Sequence, residues 1–313
     1  MKRKVIKQGT STLTVSLPSK WIKEHGIKPG DEVDVDEIGP DLRVGCGSVK
    51  HEKKAELNID GMKDRLVFRH MNVLYTNGYD EIRIFFSDPS QLTTIQYTLN
   101  HLIGFTIVEQ KKDSCVVKEV VDTRGEDFDK IIKRVFLTID DIAIDSLALM
   151  KAKDWPALEK IKQRDRDVVN KLAFFCLRIL SKKGYSQPEK TQAMWDLVLI
   201  LENLGDEYAN LSEELALLGK PLSKSTLGRI AEVNTLMREV EHLFYNYKRG
   251  ELARLHERAR TMRFDVSKAA KAMSREDFIA LYHVRKIAEW LLSILESIIV
   301  LNVAGSDGGM SEE

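Results

Sequence analysis

Two acidic side chains stand four residues apart in the sequence, where together they could bind a cation. Glu202 and Asp206 would lie on one face of a helix, because residues at i and i+4 are neighbours on the helical surface. Like charges at that spacing destabilise a helix slightly, and a cation that bridges the two carboxylates would offset the repulsion. Glu213 continues the same face. On spacing alone we favour a solvated acidic face, because Glu189–Glu214 contains seven acidic residues and a single lysine.

A second group of residues could bind a polyanion. Residues 1–28 contain seven basic side chains and one acidic side chain, Glu24. Basic side chains beside a short strand can neutralise the phosphates of DNA, and a dimer would double such a patch. The charge alone is equally compatible with an ordinary basic terminus. The residues that we predict to contact DNA are Lys2, Arg3, Lys4, Lys7 and Lys20.

The sequence lacks the common signatures of catalysis. Its seven histidines form no ligand pair of the HxxxH type, and neither a GxxxxGK[ST] phosphate-binding loop nor a GxSxG elbow is present. Nothing in the pattern places a nucleophile beside a base. We therefore expect a non-enzymatic protein.

Length and composition further restrict the class of protein to which the chain can belong. The chain has 313 residues, which allows two or three domains, and its 48 basic and 48 acidic residues balance. The zero net charge is the sum of oppositely charged segments, because the N-terminus is basic and residues 188–217 are acidic. The three cysteines are widely spaced, the N-terminus does not resemble a signal peptide, and no apolar run reaches about 18 residues. We therefore expect a cytoplasmic protein.

Hydrophobic periodicity indicates three domains and a tail. Residues 1–47 contain short alternating strands around a helix that Ser19 would cap, too few residues for a core unless the domain dimerises. Residues 48–122 alternate in the order β-α-β-α-β-β, as in a small α+β domain. Residues 123–305 contain six long helices in two similar groups of three, which suggests a degenerate internal repeat. Residues 306–313 are predicted to be disordered.

The helical segments resemble the PhoU family. Leu201–Asp206 resembles its E-R-I-G-D-like signature, and Asp165–Leu172 resembles the segment of the preceding helix. The resemblance covers residues 123–303 and implies a double three-helix bundle that binds metal through the glutamate and aspartate of the signature. That role would fall on Glu202 and Asp206, to which we add Asp165 as a predicted ligand. The ion would be divalent or trivalent.

Two departures from the signature affect this prediction. Asn203 replaces the family's arginine, and in the second repeat Arg285 stands where the glutamate should be. Only Glu289, at the aspartate position, keeps an acid there. Because a guanidinium cannot bind a cation, we predict a metal site in the first repeat only.

The N-terminal segment resembles the SpoVT/AbrB family. The residues that carry the likeness are Lys4–Pro18 and the G-I-x-P-G-D-x-V block of Gly26–Val33. The resemblance covers residues 1–47 and implies a swapped-hairpin β barrel that is an obligate dimer and binds DNA.

Together these features predict a multidomain protein: an AbrB-like barrel, a small α+β domain and an all-α PhoU-like double bundle, like archaeal phosphate uptake regulators. The implied function is a phosphate-responsive regulator that restrains phosphate uptake through DNA binding, through contact with a phosphate transporter ATPase or a sensor kinase, or through both. The alternative is a general AbrB-type transcription factor or antitoxin-like protein whose helical domain senses a metal or another effector.

Overall fold

The computed structural model describes residues 1–9, 11–38, 41–45, 52–121, 127–269 and 273–303. The chain divides into two compact units, Met1–Glu52 and Lys53–Glu313. The second unit therefore contains both the α+β segment and the helical segment, and the division into three domains stays a prediction. The tail 306–313 lies outside the described residues. No helix among the described residues is long and apolar enough to cross a membrane.

The first unit consists of short strands around one short helix, as the sequence predicts. Strands β1 (Ile6–Gln8) and β2 (Thr12–Thr14) form one antiparallel pair, and β3 (Asp34–Ile38) and β4 (Asp41–Gly45) form another. Helix α1 (Ser19–Glu24) lies between the two pairs in the sequence. Ser19 is the first helical residue and not the N-cap, a position that Pro18 occupies without a side-chain hydrogen bond. Closure of the strands into a swapped-hairpin barrel stays a prediction.

The second unit begins with an α+β region whose element order agrees with the sequence pattern. The elements are β5 (Lys54–Asn58), α2 (Asp64–Thr76), β6 (Glu81–Phe85), α3 (Gln91–Leu99), β7 (Phe105–Gln110) and β8 (Ser114–Glu119). The sheet has the strand order β5-β6-β8-β7, in which only β5 and β6 are parallel. Apolar residues from the strands and from α2 form a buried core that is continuous with that of the helices.

The rest of the second unit is helical. The first three helical segments of the sequence become α4 (Phe128–Ala152), an interrupted second segment, and α8 (Thr191–Leu218). The last three become α9 (Lys224–Tyr245), α10 (Arg249–Ala269) and α11 (Arg275–Val303). Helix α11 packs against α8, α9 and α10.

Capping residues account for several helix starts. Asp154 accepts a hydrogen bond from the backbone N–H of Ala157, at 3.1 Å, as its position before an early proline predicts. Ser274 accepts one from the N–H of Asp277, also at 3.1 Å, so the predicted start of the last helix is confirmed.

The predicted second long helix is not continuous. It consists of α5 (Trp155–Glu159), α6 (Ile161–Arg164), a π-helical turn at Asp165–Asn170, and α7 (Lys171–Lys183). A π turn inserts a residue into the helical repeat and widens the helix locally. This interruption lies in the segment that resembles the PhoU family.

Arg178 of α7 joins the helices to the α+β region. The Arg178 side chain is 0% exposed and donates to the backbone carbonyl oxygens of Tyr75, at 2.9 Å, and Tyr79, at 2.7 Å. It also lies 2.9 Å from a carboxylate oxygen of Glu119 and 3.3 Å from one of Asp80. These contacts make the two regions parts of one core.

Candidate functional site

The π-helical turn brings Asp165 against the middle of α8. An ideal β-carbon at Gly205 would lie 2.6 Å from Oδ1 of Asp165 and 2.8 Å from Cγ1 of Val169. Asp165 is completely buried. Because Gly205 has no β-carbon, the two segments can touch at this point. The structure thus places Asp165 beside the helix that carries Glu202 and Asp206.

Asn170, at the end of the π turn, also faces this part of α8. Its amide nitrogen lies 3.5 Å from Oδ1 of Asp206. Its amide oxygen is buried and has no hydrogen-bond partner in the described part of the chain. Asn170 was not among the site residues predicted from the sequence, although it lies within the family-like segment Asp165–Leu172.

Burial changes the acidity of Glu202. The pKa of its carboxyl is raised from 4.5 to about 7, chiefly by desolvation and also by the neighbouring Asp206 carboxylate, while Arg69 opposes the rise. Arg69 belongs to α2, so the α+β region contributes a charge to this site. Nothing in the sequence pattern connected Arg69 with Glu202, because only the folded chain brings the charge of Arg69 close enough to affect this carboxyl.

The donor set at this site is rich in oxygen. The carboxylates of Glu202 and Asp206 and the amide oxygen of Asn170 are groups that hard cations prefer. Within the described ranges, no three His, Cys, Asp or Glu side chains form a group that could hold a metal ion. Glu213 forms an ion pair with Lys162 of α6. Metal binding by Glu202, Asp206 and Asp165 stays a prediction.

The equivalent place on α11 has a different charge arrangement. Oε1 of Glu289 lies 3.1 Å from Nε of Arg285, one turn away, and 3.7 Å from Nε of Arg263 on α10. Nζ of Lys286 is 4.0 Å from the other carboxylate oxygen. Side-chain cations of the protein itself therefore neutralise the acid on α11, whereas on α8 a second acid, Glu202, occupies the position that corresponds to Arg285 in the predicted repeat.

The first unit exposes apolar strand residues. Of its residues whose side chains the structure describes, none is buried. Leu13 on β2 is 68% exposed and Leu42 on β4 is 64% exposed. The other large apolar side chains exposed in this unit are Met1, Val5, Ile6, Val15 and Val35. The described side chains of this unit therefore form no hydrophobic core within one copy.

The predicted DNA-binding residues are all exposed. Lys2, Arg3 and Lys4 precede β1, and Lys7 lies within it. Lys20 lies on α1, with its ammonium group 3.7 Å from a carboxylate oxygen of Glu24. All five side chains are exposed to solvent, as contacts with phosphates require.

Comparison with known proteins gives two similarities. Residues 6–44 match the family model described as antidote-toxin recognition MazE, bacterial antitoxin, so the chain has a MazE/AbrB-like segment at its N-terminus. The phosphate transport system regulatory protein PhoU from Streptococcus pneumoniae aligns with 13% identity and a TM-score of 0.47. That alignment covers 58% of this chain and 98% of the PhoU chain. No curated protein matches this chain.

Proposed function

We propose that this chain is a non-enzymatic, phosphate-responsive regulator that restrains phosphate uptake and binds DNA as a homodimer through its N-terminal unit. The observation that carries the proposal is the combination of a MazE-like segment, exposed apolar strands and exposed basic side chains in one unit. The apolar strands support dimerisation, and the basic side chains support DNA binding.

A second copy of the same unit is the partner that best fits the apolar strands. Burial of apolar surface stabilises an interface by about 25 cal/mol per Å², and a unit whose described side chains are all at least partly exposed gains little of this stabilisation alone. Leu13, Val15, Val35 and Leu42 are all at least half exposed in one copy. Dimerisation would give this segment the core that its own length cannot supply.

The exposed basic residues support DNA as the ligand. Lys2, Arg3, Lys4 and Lys7 come within six positions at the edge of the first strand pair. Each lysine or arginine that neutralises a phosphate releases a counterion, so binding should weaken steeply with salt.

The phosphate response rests on the PhoU-like signature in α8. We assign the first-repeat site to Glu202, Asp206 and Asp165 and add the amide oxygen of Asn170. A hard cation bound there would neutralise two neighbouring carboxylates, of which Glu202 is already shifted toward its protonated form. If Glu202→Ala with Asp206→Ala left the metal content of the purified protein unchanged, this assignment would be wrong.

The MazE match favours a second candidate function. An antitoxin-like or general AbrB-type regulator would use the same DNA-binding dimer, with the helical region as a sensor of a metal or another effector. Such a protein would bind its own promoter, and its DNA binding would not follow phosphate supply.

A DNA-binding experiment separates these proposals. Fluorescence anisotropy would measure the affinity of the full chain for promoter fragments of phosphate-uptake genes and for its own promoter across a salt series. Replacement of Lys2, Arg3 and Lys4 by alanine should weaken binding and reduce the slope of log K against log salt by about 3. The matched control is replacement of the exposed pair Lys111 and Lys112 in the second unit, which should leave the slope unchanged.

A pull-down from native lysate tests the contact with a protein partner. Recovery of a phosphate transporter ATPase or a sensor kinase after nuclease treatment, without enrichment of any DNA fragment, would contradict the DNA-binding proposal and support an adaptor. Enrichment of a phosphate-uptake promoter from phosphate-replete cells would support the regulator.

A further inference from the structure

A buried histidine lies between two glutamates where α8 and α11 pack together. The side chain of His283 on α11 is 3% exposed, and its Nδ1 lies 2.8 Å from Oε1 of Glu207 on α8. Its other nitrogen, Nε2, points toward Oε2 of Glu214 at 3.6 Å. Because Glu207 and Glu214 are seven residues apart on α8, they lie two turns apart on the same helical face.

The hydrogen bond to Glu207 sets the chemistry of the ring. A carboxylate can only accept a hydrogen bond, so Nδ1 carries the proton and donates it to Glu207. In the neutral ring, Nε2 then has a free lone pair. Nε2 is buried and has no hydrogen-bond partner among the described residues. A carboxylate that accepts from one imidazole nitrogen is the usual support for a histidine that binds metal through the other.

The distance between Nε2 and the Glu214 carboxylate suits two ligands of one metal ion. Two ligands that bind one ion at 2.0–2.1 Å in tetrahedral geometry are roughly 3.3 Å apart, close to the 3.6 Å observed between Nε2 and Oε2. The side chain of Glu214 is 52% exposed, so an ion could enter from solvent and keep water as its remaining ligands.

We propose that His283 Nε2 and the Glu214 carboxylate bind a borderline divalent cation such as Zn²⁺, with Glu207 as the positioning residue for the imidazole. One nitrogen and one carboxylate oxygen suit zinc, cobalt or nickel better than calcium or magnesium. The site uses none of the residues assigned to the first-repeat site, and it does not depend on the proposed function.

Cobalt titration of the full chain tests this site. The protein would carry Glu202→Gln and Asp206→Asn, so that the first-repeat site cannot contribute, and would be stripped with a chelator. We expect one equivalent of Co²⁺ to produce visible absorption bands that Zn²⁺ removes. Glu214→Gln should weaken Co²⁺ binding at least tenfold, and Glu207→Gln should weaken it by about 10–100-fold by disturbing the ring orientation.

The control is Glu213→Gln, which changes the neighbouring residue that pairs with Lys162 and should leave Co²⁺ affinity unchanged. His283→Gln should abolish the absorption bands. Because Glu214 is half exposed, its variant should fold even if the His283 variant does not. Absence of a stoichiometric Co²⁺ spectrum, or equal Co²⁺ affinity in the parent and in Glu214→Gln, would overturn the proposal and leave the three side chains as a buried polar contact.

Discussion

The carboxylate of Asp165 occupies the space that any side chain at Gly205 would need. Oδ1 of Asp165 lies 2.6 Å from the ideal β-carbon position of Gly205. A glycine inside a helix costs about 1 kcal/mol relative to alanine, and here it allows the π turn and α8 to approach each other. The contact between Asp165 and Gly205 thus joins two family-like segments: the one before α7 and the signature on α8.

Gly205→Ala should destabilise the protein. The new methyl group would overlap Asp165 and Val169, and such overpacking costs about 1–3 kcal/mol, against a gain of about 1 kcal/mol in helix propensity. We expect a lower Tm in circular dichroism. Gly228→Ala in α9 is the matched control, because nothing lies within 4 Å of its ideal β-carbon. It should raise the Tm by about 2–4 °C, and equal shifts in both variants would contradict the close contact.

Arg178→Met should destabilise the second unit more than any surface variant. Removal of one partner of a buried ion pair costs about 3–5 kcal/mol, and the carbonyl oxygens of Tyr75 and Tyr79 would also lose their donor. Urea unfolding measures the effect. The control is Lys130→Met, which removes a solvent-exposed ion pair with Asp127 and should have a much smaller effect on the urea midpoint. A small effect of Arg178→Met would show that the two regions do not depend on this residue.

Glu202 should make the stability of the metal-free protein depend on pH. Because folding raises the pKa of Glu202 from 4.5 to about 7, the folded chain keeps a proton that the unfolded chain has released between these values. Stability therefore falls as pH rises from 4.5 to 7, and the loss is complete above 7.

Glu202→Gln removes this titration. In chelator, its Tm should exceed that of the unmodified protein by an amount that grows from pH 4.5 to 7 and is then constant. Asp196→Asn, at an exposed position of the same helix, is the control and should show no such growth. A Tm difference that does not change with pH would be incompatible with the raised pKa of Glu202.

Leu13→Glu should convert a dimer into a monomer. A charge on this exposed apolar position of β2 would have to be desolvated in the interface, which is strongly unfavourable. Size-exclusion chromatography with light scattering measures the mass. Thr12→Glu is the control, because successive strand residues point to opposite faces. A dimeric Leu13→Glu chain would argue against dimerisation through this unit.

The local pattern of the chain could be predicted because it depends on near neighbours. The strands of the first unit, the α+β element order and the starts of α5 and α11 follow from alternation and from the caps Asp154 and Ser274. The MazE match over residues 6–44 agrees with the likeness seen in Lys4–Pro18 and the Gly26–Val33 block. The interruption of the second long helix at Asp165–Asn170 could not be predicted, because the polar run Lys162–Asp167 does not distinguish an α-helical turn from a π turn.

The sequence alone determined which segments fold as strands or helices, where the charges concentrate, and that Glu202 and Asp206 share a helical face. Tertiary structure decided which distant groups meet: Asp165 with Gly205, Arg69 with Glu202, Arg178 with Tyr75 and Tyr79, and His283 with Glu207 and Glu214. The reason is physical. Helical and strand periodicity reports interactions within a few residues, whereas desolvation, ion pairing and ligand geometry depend on side chains that approach only when the helices pack.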